Sequence, residues 1–237
     1  MSERLFRFKQ FNIKHERSAM KVGVDAVILG AWANLNSFDT VIDAGCGCGI
    51  IALMLAQRYK DLKIIGIDID SDSCDEAIEN VNNSPWKNRI EIIKANFNQI
   101  CFNKSINVDH IVSNPPFYNS GIDGSLSSRM KARHIGDFGP DSLIKNGCKI
   151  LSDTGKISLI CPYDYYDTIE KAAKASGMYF SRLTSIRGNY HTKIKRILIE
   201  LSKKENKCIS SEITIEKDRG VATEEYINLT KDFYIKY

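Results

Sequence analysis

The sequence predicts an α/β fold, a doubly wound and mostly parallel sheet closed by an antiparallel hairpin. Three observations predict it. From Thr40 onward, short apolar runs alternate with segments of helical periodicity. A glycine-rich turn, Gly45 to Gly49, joins the first of those runs to the first of those helices. Near the carboxyl end, two long strand-like runs are separated by a Gly-Asn-containing turn at 188–189, too short for a crossover helix, so they pair antiparallel.

Taken in order, residues 5–13 alternate apolar and polar with a change of parity near Lys9-Gln10, the pattern of a short hairpin. The second half of Ala19 to Ala33 is helical, with Asp25 near its start. Strands are expected at Thr40 to Asp43, Lys63 to Ile69, Arg89 to Lys94, Val108 to Ser113 and Lys156 to Cys161. Between them fall helices at Ile50 to Tyr59, Asp72 to Asn82, Leu143 to Leu151 and Tyr165 to Ser176, the last ended by Gly177. The late hairpin strands are Met178 to Ser185 and Lys195 to Leu201. A short strand at Ile213 to Ile215 and a helix from Thr223 to Tyr237 complete the chain. Two units are expected, an extension over 1–36 and the main domain over 37–237. A Ser-, Gly- and charge-rich stretch, Tyr118 to Gly139, is long for a loop inside a compact domain, and such loops are usually functional.

Composition bounds the class. At 43% hydrophobic and 26% charged over 237 residues, the chain has an ordinary globular makeup. It has no apolar run of membrane-spanning length and no apolar signal segment at its start. Seven scattered cysteines without a C-x-x-C pair fit a reducing cytoplasm and argue against a metal site. The four histidines, His15, His110, His134 and His191, have no metal or triad spacing. Net charge is +4, unevenly spread. Residues 1–21 hold six basic and two acidic side chains, 38–117 seven and eleven, and 182–207 eight and two. An acidic body with basic margins suits a polyanionic partner, although solvated surface charge gives the same count.

The loop Asp43-Ala-Gly-Cys-Gly-Cys-Gly-Ile50 carries glycines at 45, 47 and 49 that let the backbone turn tightly and approach a ligand. A dinucleotide fingerprint would need glycine where Ile50 stands, and a P-loop would need Gly-Lys-Ser/Thr. A nucleotide oxidoreductase is therefore disfavoured. Asp43 puts a carboxylate ahead of the loop, unsuited to phosphate and suited to a cation. Asp68, nineteen residues after Gly49, has the offset of a ribose-binding carboxylate. Asp43, Gly45, Gly47 and Asp68 together describe a nucleoside with a cationic 5′ substituent, which S-adenosylmethionine fits. Asn96 could accept from the adenine amine, or simply shape a turn.

Asn114-Pro115-Pro116-Phe117 follows the Val108 to Ser113 run. The prolines stiffen the turn and leave carbonyls free. An amide, free carbonyls and an aromatic ring suit a flat group bearing an NH2. Asn114 and Pro115 are expected to accept from its two N–H bonds, and Phe117 to stack on its ring. In the following stretch Arg129, Lys131, Arg133 and His134, and near the late hairpin Lys193, Lys195 and Arg196, are candidate contacts to RNA phosphates.

With these residues in view, the chain resembles the Rossmann-like class I methyltransferases that modify amino and amide nitrogens, which carry [DNS]-P-P-[YFW] after the fourth strand. Phe8 to Ile13, Ala19 to Ala33, Leu53 to Arg58 and Asn83 to Trp86 are similar to the bacterial tRNA1(Val) N6-adenine methyltransferase family, over essentially the whole chain. Met20 to Asp25 is the more family-specific segment, and Lys21 and Gly23 within it are expected at the cofactor. The resemblance implies a seven-stranded sheet with the antiparallel hairpin at its end. It also implies a monomer that methylates the adenosine 3′ of the anticodon in a valine tRNA. Asn96 and Phe117 stand where relatives often have an acid and a tyrosine. Guanine-N2 in rRNA, another amino or amide nitrogen, and a non-catalytic RNA-binding module remain alternatives.

Overall fold

The computed structural model describes residues 5–18, 21–37, 39–101, 106–117 and 138–237. An N-terminal hairpin, β1 (Leu5–Arg7) and β2 (Asn12–Lys14), leads into helix α1 (Val24–Trp32). Strand–helix alternation follows: β3 (Thr40–Ala44), α2 (Ile50–Arg58), β4 (Lys63–Asp68), α3 (Ser71–Asn82), β5 (Ile90–Lys94), α4 (Phe97–Ile100) and β6 (Val108–Ser113). Then come α5 (Pro140–Gly147), β7 (Leu151–Pro162), a 3-10 turn at Tyr163–Tyr165, α6 (Tyr166–Ala175), β8 (Tyr179–Asn189), β9 (Ile194–Ser202), β10 (Ile209–Asp218), β11 (Val221–Ala222) and α7 (Glu224–Thr230).

The main sheet runs β11-β10-β8-β9-β7-β6-β3-β4-β5. Strands β7, β6, β3, β4 and β5 are mutually parallel, while β9 is antiparallel to both β7 and β8. Successive side chains of one strand enter opposite faces. Val41 and Leu198 join the cluster formed with α1, α2 and Val81 of α3. Ile42 and Ile197 join the cluster formed with Leu143 and Ile144 of α5 and Ile169 and Ala173 of α6. Doubly buried strands read as continuous apolar runs, which is why β3, β4 and β6 are legible in the sequence. Phe8, Phe11 and Ile13 of the N-terminal hairpin share the first cluster.

Four expectations are corrected. Among the described residues the sheet has nine strands, not seven, because β10 and β11 extend it past β8. The strand expected at Ile213 to Ile215 is ten residues long, with a mostly exposed first half that hides its periodicity. The helix expected at Leu143 to Leu151 starts earlier, at Pro140 behind the N-cap Gly139, and stops at Gly147. A Cβ on Gly147 would stand 2.9 Å from Ile111 Cδ1, and Leu151 instead begins β7. The terminal helix is only seven residues long, capped by the Thr223 hydroxyl. Beyond it Phe233 is buried and Tyr234 bridges to Phe8.

Candidate active site

Parallel strands end on one edge, and the loops there converge. The β3–β6 register sets Asp43 opposite Val112, and Ser113 Oγ donates to Ala44 O at 2.7 Å. Gly45 and Asn114 therefore leave adjacent strands side by side. The glycine turn is tied to β4, because the N–H groups of Gly45 and Cys46 both donate to Ile67 O. Gly45, Gly47 and Gly49 have φ of 71°, 52° and 81°, the left-handed region that glycine enters without steric cost. A Cβ at Gly45 would meet the Phe138 ring at 3.0 Å, whereas at Gly47 nothing stands within 4 Å. The open side of Gly47 is the room a bound ligand needs.

A cavity of about 520 Å³ lies over this corner, a volume typical of small-molecule sites. Of the residues expected at the cofactor, Lys21, Gly23, Gly45, Gly47, Asp68, Asn96 and Asn114 line it. Asp43 does not. It is fully buried beneath the turn, where Oδ2 accepts from Ala52 N at 3.0 Å and holds the first turn of α2. Its Oδ1 has no partner among the described residues. Burial pushes the Asp43 carboxyl up to about 7, opposed by the Ala52 hydrogen bond and assisted by the negative charge of Asp68. The expected direct meeting of Asp43 with a cationic ligand is corrected accordingly: the carboxylate braces the loop from below.

Asp68 ends β4 inside the cavity. Its Oδ2 accepts from Gly47 N at 2.8 Å and Oδ1 from Asp70 N at 3.0 Å. Burial raises its pKa, and these backbone bonds oppose that shift. Asn96 lines the same end but also caps α4, accepting from Asn98 N at 2.9 Å. The turn role and the lining role therefore coexist in one residue.

Asn114 is 8% exposed, and its buried Oδ1 has no hydrogen-bond partner among the described residues. An unmet buried acceptor costs stability and is uncommon in folded proteins. Pro116 lines the cavity beside it, and Pro115 is buried. Phe117 is not a lining residue. Its ring lies 5.7 Å from that of Tyr165, tilted by 57°.

Lys21 and Gly23 reach the cavity because α3 holds the segment before them. Glu76 is buried, and its carboxylate accepts from the N–H groups of Glu16, Arg17 and Ser18 and from the Ser18 hydroxyl. One turn later Asn80 accepts from Lys14 N and donates to both Lys14 O and Cys48 O. Sequence reasoning missed Glu76 and Asn80, since only the fold brings them to the segment. It also passed over Phe138 and Asp25, both of which line the cavity.

Arg129, Lys131, Arg133 and His134 lie outside the described residues. Lys193 and Lys195 are exposed around the β8–β9 turn, on the edge that carries Asn114. Arg196 is not free: its Nε donates to Asp25 Oδ2 at 2.8 Å. Among the described residues, no cluster of His, Cys, Asp or Glu could hold a metal ion, and no helix is long and apolar enough to cross a membrane.

A parallel sheet with this corner places the chain among the class I S-adenosylmethionine-dependent methyltransferases. The methyltransferase small domain family matches residues 26–161. A predicted O-methyltransferase from Agrobacterium tumefaciens superposes with a TM-score of 0.68 at 16% identity, covering 88% of this chain and 96% of that one. TrmN from Thermus thermophilus superposes with a TM-score of 0.56 at 17% identity, over 76% of this chain and 48% of that one. Sequence relatives are nearer. The tRNA1(Val) (adenine(37)-N6)-methyltransferase of Trichodesmium erythraeum is 38% identical over 98% of both chains, and that of Bacteroides fragilis 36% over the whole of both. The chain belongs to this tRNA1(Val) (adenine(37)-N6)-methyltransferase family.

Proposed function

We propose that the protein transfers a methyl group to the N6 amine of the adenosine 3′ of the anticodon in a valine tRNA. The observation that carries this reading is the buried, unpartnered Oδ1 of Asn114 beside the glycine turn. An acceptor left unmet by the fold is met by the substrate's N–H.

S-adenosylmethionine supplies an electrophilic methyl group on a sulfonium. Gly45 and Gly47 let the backbone approach it, Asp68 accepts from the ribose hydroxyls, and Asn96 shapes the adenine end. Asn114 Oδ1 and the Pro115 carbonyl accept from the two N–H bonds of the target amine. Gripping both turns the nitrogen lone pair toward the methyl. Both bonds strengthen as positive charge grows on nitrogen, so they stabilise the transition state more than the ground state. Phe117, backed by Tyr165, stacks on the target base and fixes its plane. The base lies in a single-stranded loop, so splaying it out costs less than flipping from a duplex.

Lys193 and Lys195, with Arg129, Lys131, Arg133 and His134, contact RNA phosphates in this reading. Within the extension expected over 1–36, Lys21, Gly23, Asp25 and Ala26 border the cofactor in this reading. In this reading the protein works as a monomer, and seven free cysteines support a cytoplasmic location.

The test is incubation with methyl-labelled cofactor and undermodified bulk tRNA, followed by mass spectrometry of nucleosides. Label is expected in N6-methyladenosine of a valine tRNA. Asn114→Ala is expected to lower transfer at least ~100-fold, the size of one lost transition-state acceptor, while S-adenosylmethionine binding survives. Label only in guanine, rRNA or protein, or equal loss of transfer and binding in the variant, overturns the reading.

A further inference from the structure

The cavity has an order. Asn96 follows β5, Asp68 ends β4, Gly45 and Gly47 follow β3, and Asn114 follows β6. In the sheet these strands are consecutive, β5-β4-β3-β6. The cofactor has an order too: adenine, ribose, sulfonium, amino-acid tail. With the ribose at Asp68 and the sulfonium at the glycine turn facing Asn114, the tail is left the part of the cavity lined by Lys21, Gly23 and Asp25, next to Arg196 of β9.

Asp25 is the lining carboxylate on that side. Its Oδ2 is held by Arg196, and Arg196 pairs in register with Pro162, the last residue of β7. The other two lining carboxylates, Asp68 and Asp70, sit at the ribose end. Asp43, the carboxylate that sequence reasoning chose for a cationic ligand, is sealed off. Asp25 keeps its Oδ1 without a hydrogen bond among the described residues and is 30% exposed.

Lys21, four positions earlier across Gly23, lines the same cavity. The carbonyls of Glu16 and Ser18 hold its ammonium at 2.8 and 3.4 Å. Those bonds leave it a donor, since an ammonium carries three. A carboxylate and an ammonium on one short segment complement a zwitterion of the opposite arrangement.

Resting on the cofactor reading above, we propose that Asp25 receives the α-ammonium group of the cofactor's amino-acid tail. Lys21 faces the tail's carboxylate, and Arg196 is the positioning residue that fixes the Asp25 side chain. The guanidinium holds Oδ2 and turns Oδ1 to the ligand. Arg196 thereby acts at the cofactor rather than on RNA.

The test is calorimetric binding of three ligands without RNA. They are S-adenosylhomocysteine, its analogue lacking the α-amino group, and 5′-methylthioadenosine, which lacks the whole amino-acid tail. Wild type is expected to prefer S-adenosylhomocysteine over the deamino analogue by about 10- to 100-fold, the size of a charge-assisted hydrogen bond. Asp25→Asn is expected to lose that preference and to bind 5′-methylthioadenosine as wild type does, which also shows that the variant is folded. Lys21→Met is expected to keep the preference for the amino group. Arg196→Gln is expected to reduce the preference without abolishing it and to spare 5′-methylthioadenosine. A preference retained in Asp25→Asn, or equal weakening of all three ligands, overturns the proposal. Failure of wild type to bind any of the three overturns the cofactor reading as well, a result distinct from the other two.

Discussion

At the scale of the residue, two buried titratable groups act in opposite directions. Burial raises the carboxyl of Asp43 to about 7 and lowers the imidazole of His110 to about 4. The stability Asp43 gains by keeping its proton is full below 3.8 and is lost as pH rises through about 7. For neutral His110, held to Ser158 Oγ at 2.9 Å, stability is full above 6.5 and is lost as pH falls through about 4. Between those limits the two slopes offset each other. Asp43→Asn removes one of them. Its melting temperature is expected to rise with pH from 5 to 7 relative to wild type, by up to about 1.4 kcal/mol per pH unit in stability. Parallel melting curves for the two proteins across that range would refute the assignment. The case also shows where sequence reading stops. A carboxylate ahead of a glycine turn was legible, but whether it faces the ligand or the first turn of α2 depends on a side-chain direction that spacing leaves open.

At the scale of the element, the segment 14–18 owes its path to one face of α3. Burial alone would raise the Glu76 carboxyl, but hydrogen bonds from Ser18, Arg17 and Glu16 outweigh it, and its pKa is lowered. Replacing it by alanine leaves several donors without their acceptor. Glu76→Ala is expected to lose roughly 2–4 kcal/mol of stability by denaturant titration. It should also weaken S-adenosylhomocysteine more than 5′-methylthioadenosine, because Lys21 and Gly23 lose their anchor. Equal affinities for both ligands in variant and wild type would remove Glu76 from the site. The central strands were legible because burial on both faces writes continuous apolar runs. Strand β10 was legible only in part, because its first four residues are exposed and three of them, Ser210, Ser211 and Glu212, are polar. The last helix looked longer than it is, because Phe233 and Tyr234 continue a helical spacing while they pack on the hairpin instead.

At the scale of the whole molecule, the strand order sends the β8–β9 and β10–β11 turns out of the same edge as Asn114. Lys193, Lys195, Lys217 and Arg219 are exposed there, beside the acids Glu216 and Asp218. The uneven charge of the sequence thus becomes a basic border along the edge that carries Asn114. Replacing Lys193 and Lys195 together by alanine is expected to reduce the salt dependence of tRNA binding by about two units of log–log slope, with S-adenosylhomocysteine affinity unchanged. An unaltered slope would move the RNA path elsewhere. One further feature belongs to this scale. Phe8 bridges to Tyr234, Lys9 N donates to Phe233 O at 2.8 Å, and the Lys9 ammonium reaches Lys231 O, 222 positions away in sequence. The hairpin is thus packed from two directions, Phe11 against Trp86 and Phe8 against Tyr234, elements nearly 150 positions apart in the chain. The strap that leads to Lys21 and Asp25 therefore hangs between two anchors, α3 at one side and residues 231–234 at the other, and loosening either would be felt at the cavity.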